Sequence, residues 1–352
     1  MPTRREFLLQ TTAAGVVAAA ASRIAHAAKA NPGKDAPKLG RAGGVETVLG
    51  PLDMSKLGFT LSHEHVCFIP REVFSDRTAA AARMVDKLKE AKAAGVDTII
   101  DLTPSDAWRD VRFGQEVARR SGMQIVVCTG FRFAPASYKV QTVEQIAELY
   151  IREIEQGIED TGIKAGVIKV AAVTAAATPA EEKGFRAAAR ASKATGVPIE
   201  THTDAGNRGG ETQADIFEAE GVNPARVSLG HSDDTKDVNY LIGLAKRGYT
   251  IGIDHVFYGA TKPAKGQPDY VKYLRQIPWQ QRAGYVKQLI DAGFGDKIFL
   301  SNDWELEREE INPDGFLFNT RKTIPYLKQL GVSQQEIHAI TVDNPRRFFG
   351  RS

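Results

Sequence analysis

Beyond residue 45 the chain repeats one pattern: a short run of apolar and β-branched residues, then a stretch whose apolar positions recur every three or four residues. The runs fall at 59–61, 96–102, 124–128, 166–170, 197–200, 226–229, 249–253 and 297–300. Helical periodicity fills the spaces between them, most clearly at 77–94, 142–160 and 179–195. Gly95, Gly122, Gly196 and Gly248 stand where such stretches stop and the next run begins. That is where a residue free to adopt positive φ ends a helix. Strands alternating with helices predict parallel βα units of an α/β fold. Eight of them predict a closed TIM (β/α)₈ barrel rather than an open doubly wound sheet. An open sheet would also carry a glycine-rich phosphate turn after its first strand, and the residues after 61 contain none. No shift in composition divides 45–352, so a single domain is expected there, closed by helices over 311–330 and 334–349.

The first residues read differently. Arg4 and Arg5 precede an alanine-rich apolar stretch over 8–21, and Ala25-His26-Ala27 follows as a small-x-small cleavage site. This predicts a signal peptide of the twin-arginine type over 1–27, with export to the periplasm or beyond and no membrane attachment after cleavage. A flexible linker is expected over 28–44. Composition adds mainly exclusions. Apolar residues at 42% and charged residues at 25% are ordinary for a soluble domain. A net charge of +3 without a basic cluster argues against nucleic acid as a partner. Two cysteines, Cys67 and Cys128, support neither a disulfide framework nor thiolate zinc ligation.

Chemistry gathers at the ends of the predicted strands, where this fold builds its active sites. His63 and His65 end the first; Asp101, Thr129-Gly130, Lys169, His202, His231, Asp254-His255 and Asp303 end or follow the others. Strand residues two apart share a face, so His63 and His65 point together while Glu64 points elsewhere. Lys169 interrupts the otherwise apolar segment 165–172. An ammonium there must snorkel, find a carboxylate, or lose its charge. The last option includes carbamylation by CO₂ to N6-carboxylysine, an anionic oxygen ligand. Four imidazoles, such an anion and Asp303 are too many ligands for one tetrahedral zinc and point to two divalent ions. Zinc comes first, with cobalt, manganese or iron as alternatives. A glycosidase would use two facing carboxylates here instead of histidines.

The segments 58–65 (GFTLSHEH), 168–170 (IKV), 201–203 (THT), 230–235 (GHSDDT), 252–255 (GIDH) and 301–304 (SNDW) resemble the bacterial phosphotriesterases, or aryldialkylphosphatases, of the amidohydrolase superfamily. The resemblance runs from about residue 44 to 349 and includes 158–163 (IEDTGI) and 188–192 (AARAS). It implies an amidohydrolase-like barrel with His63, His65 and Asp303 on a buried metal and His202 and His231 on an exposed one. Carbamylated Lys169 and a hydroxide would bridge the two. Asp303 would pass a proton outward through His255 and Asp234. A histidine beside a carboxylate can carry protons near neutral pH, or it can serve only as a structural partner. The implied reaction is attack of the hydroxide on a phosphotriester, with lactones, carboxylic esters and aryl carbamates as alternatives. The partner is then a small-molecule ester, and the family's homodimer is the expected assembly.

The substrate side departs from the family pattern. Arg132 stands where the organophosphate hydrolases have tryptophan, Tyr258 where they have a second histidine, and Trp304 opens a short charged loop over 304–311. These three residues are expected to line the substrate pocket under an open, polar mouth. Arg132 either meets an anionic part of the substrate or pairs with a loop glutamate.

Overall fold

A computed structural model describes residues 43–70, 74–261 and 274–350. The expected signal peptide and all of the expected linker before residue 43 lie outside these residues. The linker's last residue, Gly44, already belongs to a strand. An antiparallel hairpin of β1 (Gly44–Thr47) and β2 (Gly50–Asp53) precedes the barrel, an element the hydrophobic pattern did not announce.

Eight parallel strands follow in sequence order around one sheet. They are β3 (Thr60–Glu64), β4 (Thr98–Asp101), β5 (Gln124–Gly130), β6 (Val167–Ala171), β7 (Ile199–His202), β8 (Val227–Gly230), β9 (Thr250–Ile253) and β10 (Ile298–Leu300). A helix follows each in turn: α1 (Arg77–Ala93), α2 (Val111–Ser121), α3 (Val143–Glu155), α4 (Pro179–Thr195), α5 (Gly209–Ala219), α6 (Val238–Lys246), α7 (Trp279–Asp291) and α8 (Ile324–Gln329). The chain is a TIM barrel, as the alternation of periods predicted. Local signals start the helices where they should. Asp76 and Asp110 cap α1 and α2, while Thr142 with Gln145 and Thr178 with Glu181 form capping boxes on α3 and α4. The closing segment is helical from Gly315 rather than from 311.

Alternation along the strands sorts side chains into two cores. Outward residues such as Leu61, Ile99, Ile125, Ile168, Ile199, Leu229 and Ile251 join the helix layer. Inward residues Ile100, Val126, Cys128, Val167 and Phe299 meet Val45, Leu52 and Met54 of the hairpin region and Phe348 and Phe349 of the last helix (Asn344–Phe349). Phe299 lies 5.0 Å from Phe348 and 5.6 Å from Phe349 between ring centres, so aromatic rings floor the barrel. The opposite end is left for polar groups.

Closure of β10 on β3 runs mainly through side chains. Ser301 Oγ accepts from the His63 amide at 2.9 Å, and the Asp303 amide donates to the His63 carbonyl at 2.9 Å. Glu64 supplies the remaining fastening. Its carboxylate accepts from Ser301 Oγ, the Asn302 amide, Asn302 Nδ2 and the Trp304 amide, at 2.7 to 2.9 Å. A register shift between Leu61 and Glu64 marks a β-bulge, which re-aims His63 and His65 into the barrel and Glu64 into the seam. Burial pushes the Glu64 carboxyl up to about 8 even with these donors around it. Glu64→Ala would orphan several buried donors and is expected to lower stability by about 3 kcal/mol or more. Ser301→Ala should cost about 1 kcal/mol, and urea unfolding of both variants checks the ranking.

Candidate active site at the barrel mouth

The mouth collects every histidine named at a strand end. His63 and His65 come from the bulged end of β3, His202 ends β7, His231 follows β8 and His255 follows β9. Two glycines make room. A Cβ on Gly130 would fall 1.8 Å from the Lys169 carbonyl oxygen, and one on Gly230 would fall 2.3 Å from that of Thr201 and 3.0 Å from the His63 ring. His231 and Asp303 themselves sit at φ 57° and 50°, left-handed backbone that non-glycine residues rarely adopt. Such strain concentrates where side chains must be aimed.

The geometry joins these groups into one network. Lys169 Nζ lies 2.8 Å from His63 Nε2. Asp303 Oδ1 lies 3.0 Å from His65 Nε2 and 3.6 Å from His63 Nε2. Asp303 Oδ2 lies 3.0 Å from His255 Nε2, whose Nδ1 is 2.8 Å from Asp234 Oδ2. The rings of His202 and His231 meet edge to face at 4.3 Å. Donor atoms of His63, His65 and Asp303 all fall within 4.8 Å of one another. So do those of His231, His255 and Asp303.

Burial sets the charges. It pushes His63, His202 and His231 well below the ordinary imidazole range, so all three are neutral and have lone pairs to offer. Arg132 adds to the effect at His202. Burial also lowers Lys169 to about 8, against the pull of Asp303, Glu200 and Asp254. Burial alone would drive His255 down, but Asp234 and Asp303 raise it to about 10. Burial would likewise lift Asp303, yet Arg308, His255 and His65 hold it well below the carboxylate range. Neutral imidazoles, an ionised carboxylate and a weakly basic amine form the donor set that divalent ions of the zinc type select.

Of the three residues expected in the substrate pocket, Arg132 and Tyr258 line a cavity of about 160 Å³ together with the histidines. Trp304 does not. Its side chain is fully buried, stacks edge to face on Phe316 and donates from Nε1 to the Asn312 carbonyl. The positive φ of Asp303 turns the chain, so Trp304 leaves the mouth for the helix layer. The charges of the loop over 304–311 are also spent differently than an open mouth requires. Arg308 turns inward onto Asp303 Oδ2 at 2.6 Å and Glu305 at 2.8 Å, while Glu309 pairs with Arg83 and Lys87 of α1.

Three further groups belong to the site although sequence reasoning did not assign them. Asp254 holds His231 Nδ1 at 2.8 Å and His63 Nδ1 at 3.0 Å. Its position two residues beyond inward Gly252 was the available signal. Thr103 links His65 Nδ1 to Asp101. Arg282 on α7, fully buried, holds Asp234 at 2.6 Å and Asp233 at 3.1 Å.

Barrel and site together define a (β/α)₈ hydrolase whose donor set suits metal ions. Residues 43–349 match the model of the phosphotriesterase family, and the chain belongs to that family. It is 36% identical to a phosphotriesterase homology protein of Mycobacterium tuberculosis over 87% of this chain and 98% of that one. The solved structure of the phosphotriesterase from Mycobacterium tuberculosis superposes with a TM-score of 0.77 at 36% identity, covering 88% of this chain and 98% of that one. Aryldialkylphosphatase of Saccharolobus solfataricus is 32% identical over 85% of this chain and 96% of its own length. Phospho-furanose lactonase of Mycoplasmopsis synoviae is 30% identical over 86% and 90%.

Two outcomes are expected. Asp254→Asn should weaken metal binding by roughly 10- to 100-fold, read by competition with a chelator. In metal-free protein, the pairing of His255 with Asp234 contributes fully to stability below pH 6.5. That contribution is lost as pH rises toward 10, because the folded state holds the proton that the unfolded chain releases. Asp234→Asn should therefore destabilise metal-free protein more at pH 6 than at pH 10 in urea unfolding.

Proposed function

We propose that the chain is a binuclear-metal hydrolase whose leading substrates are phosphotriesters of the aryl dialkyl type. The observation that carries this is the convergence of His65, His202, His231, a weakly basic Lys169 and Asp303 on one cavity, with His63 bonded to Lys169 and Asp303 already joined to His255, which is joined to Asp234. His63, His65 and Asp303 would hold one divalent ion and His202 and His231 the other, with Lys169 between them. Zinc leads, and cobalt, manganese or iron would also suit these ligands. Such ions, when bound, polarise the oxygen of the bond under attack and lower the pKa of bound water.

Lys169 would serve as the carbamate. Its free amine attacks CO₂ at carbon, a C–N bond forms, and one proton leaves. The anionic product replaces an ammonium that burial disfavours. Asp303 accepts the proton given up as water is activated and hands it to His255 Nε2 once that imidazolium, held charged by Asp234 and Asp303, has released its own proton outward. Asp234, fixed by Arg282, steadies the resulting imidazolium through Nδ1. The tautomer is thereby set by the outer carboxylate. Twin-arginine export to the periplasm or beyond, with metals acquired before translocation, suits the same reading.

A second substrate class deserves equal assay. Lactones, carboxylic esters and aryl carbamates need the same activated water and the same charge stabilisation at oxygen. Arg132 and Tyr258 on the cavity wall, and the lactonase among the relatives, favour including them.

About two metal ions per chain are expected by elemental analysis, and an active protein free of metal would overturn the reading. Lys169→Ala should lose metal and turnover together, with partial rescue by short carboxylates. His255→Ala should lower kcat by about 10²- to 10⁴-fold in assays of zinc- and cobalt-loaded enzyme on triesters, lactones and carbamates.

A further inference from the structure

The cavity has four basic side chains on its wall and floor, and three of them are committed. His255 lies between Asp234 and Asp303. Lys169 is bonded to His63. Arg308 is held by the Asp303 carboxylate and carbonyl and by Glu305, with its guanidinium 5.6 Å from the centre of the Tyr258 ring. Arg132 is not committed. Among the described residues its guanidinium meets no carboxylate, and its buried Nε has no hydrogen-bond partner. Its guanidinium carbon lies 5.2 Å from the centre of the Phe133 ring. The nearby acid, Asp106, is spent on backbone: it accepts from the amides of Arg132, at 2.9 and 3.2 Å, and of Phe133. Asp106 thus fixes where Arg132 stands and feels its charge without pairing with its guanidinium.

A guanidinium kept partly out of water without a partner is costly to the free protein, and its planar fork matches an oxyanion. The cavity of about 160 Å³ is lined by Arg132 together with His65, His202, His231 and Asp303, so an ester bound there meets both the arginine and the donor set. We infer that Arg132 determines substrate charge: it binds an oxyanion, a carboxylate first, on the part of the ester away from the bond that is cleaved. The inference rests on the hydrolase reading above and adds to it a preference for substrates bearing a negative charge. Arginine is the fitting residue, because its charge persists at any working pH and its two-pronged contact sets orientation as well as attraction.

The test uses isosteric pairs, 3-carboxyphenyl and 3-carbamoylphenyl esters, prepared both as dimethyl phosphates and as acetates. For wild-type, metal-loaded enzyme, the acid-to-amide ratio of kcat/KM should be tenfold or more in whichever series is hydrolysed. In Arg132→Leu the ratio should fall to between one and two, and Arg132→Lys should keep part of it. A wild-type ratio near one, or a ratio unchanged in Arg132→Leu, overturns the inference. A carboxylate that simply bound the metal ions would give that unchanged ratio. If neither series is hydrolysed, the hydrolase reading fails, and binding still decides the present one. Calorimetric titration with 3-hydroxybenzoate and 3-hydroxybenzamide should then show tighter binding of the acid, lost in Arg132→Leu. Equal binding of the two by the wild type overturns it.

Discussion

The seam between the last barrel strand and the first governs everything at the mouth. Glu64 gathers donors from Ser301, Asn302 and Trp304, and the Asp303 amide bonds the His63 carbonyl. Asp303 is therefore held against the histidines of β3 by contacts that involve none of its own carboxylate atoms. With its backbone fixed at φ 50°, the carboxylate has one direction to take, between His65 and His255. A strained conformation persists only where surrounding contacts over-determine it. The Glu64 fastening is that over-determination, and it depends in turn on the bulge that separates the faces of Glu64 and its neighbours.

Charge at the site follows from two shells with opposite tendencies. His63, His202 and His231 are buried and kept neutral, the state a metal-binding donor set requires. Carboxylates and an arginine stand behind them. Asp254 braces His63 and His231 together, Thr103 and Asp101 brace His65, and Arg282 braces Asp234. Partners of this kind orient ring nitrogens and tune their basicity. His255 is the exception that explains the rest. Each of its ring nitrogens lies within 3.0 Å of a carboxylate oxygen, Asp234 on one side and Asp303 on the other, and it is raised to about 10. A proton is thus most at home one step outward from Asp303.

How much of this was legible beforehand depends on whether a feature repeats along the chain. The barrel was legible because strand and helix periods alternate eight times, and the inner donors because they recur at the same phase of each repeat. The hairpin of β1 and β2 was not, since two four-residue strands containing Gly44, Gly50 and Pro51 leave no period to detect. Trp304 was misplaced for a related reason. Alternation of faces holds only along extended backbone, and the positive φ of Asp303 ends it one residue earlier. Arg308 sits in a loop without period, and its turn toward Asp303 is a matter of tertiary contact alone. Asp254 was named at the end of its strand, but its neighbour His255 drew the chemistry, and its bracing of two histidines went unassigned.

Floor and wall of the cavity answer to different constraints. The floor is assembled by strand ends whose positions the barrel dictates, and Asp303, His65, His231 and His255 there are each fixed by a hydrogen-bonded partner. The wall comes from loops, where Arg132 and Tyr258 follow β5 and β9. Changing a wall residue leaves the seam and the ligand set untouched, so substrate choice can shift while the bond-breaking apparatus stays the same. A triester and a lactone make equal demands on the floor, namely a water ready to lose its proton and positive charge near an oxygen. They differ in what they present to the wall. Among the described residues the wall offers one arginine whose guanidinium meets no carboxylate, so the discrimination such a wall would make is by charge on the distal part of the substrate more than by the identity of the atom attacked.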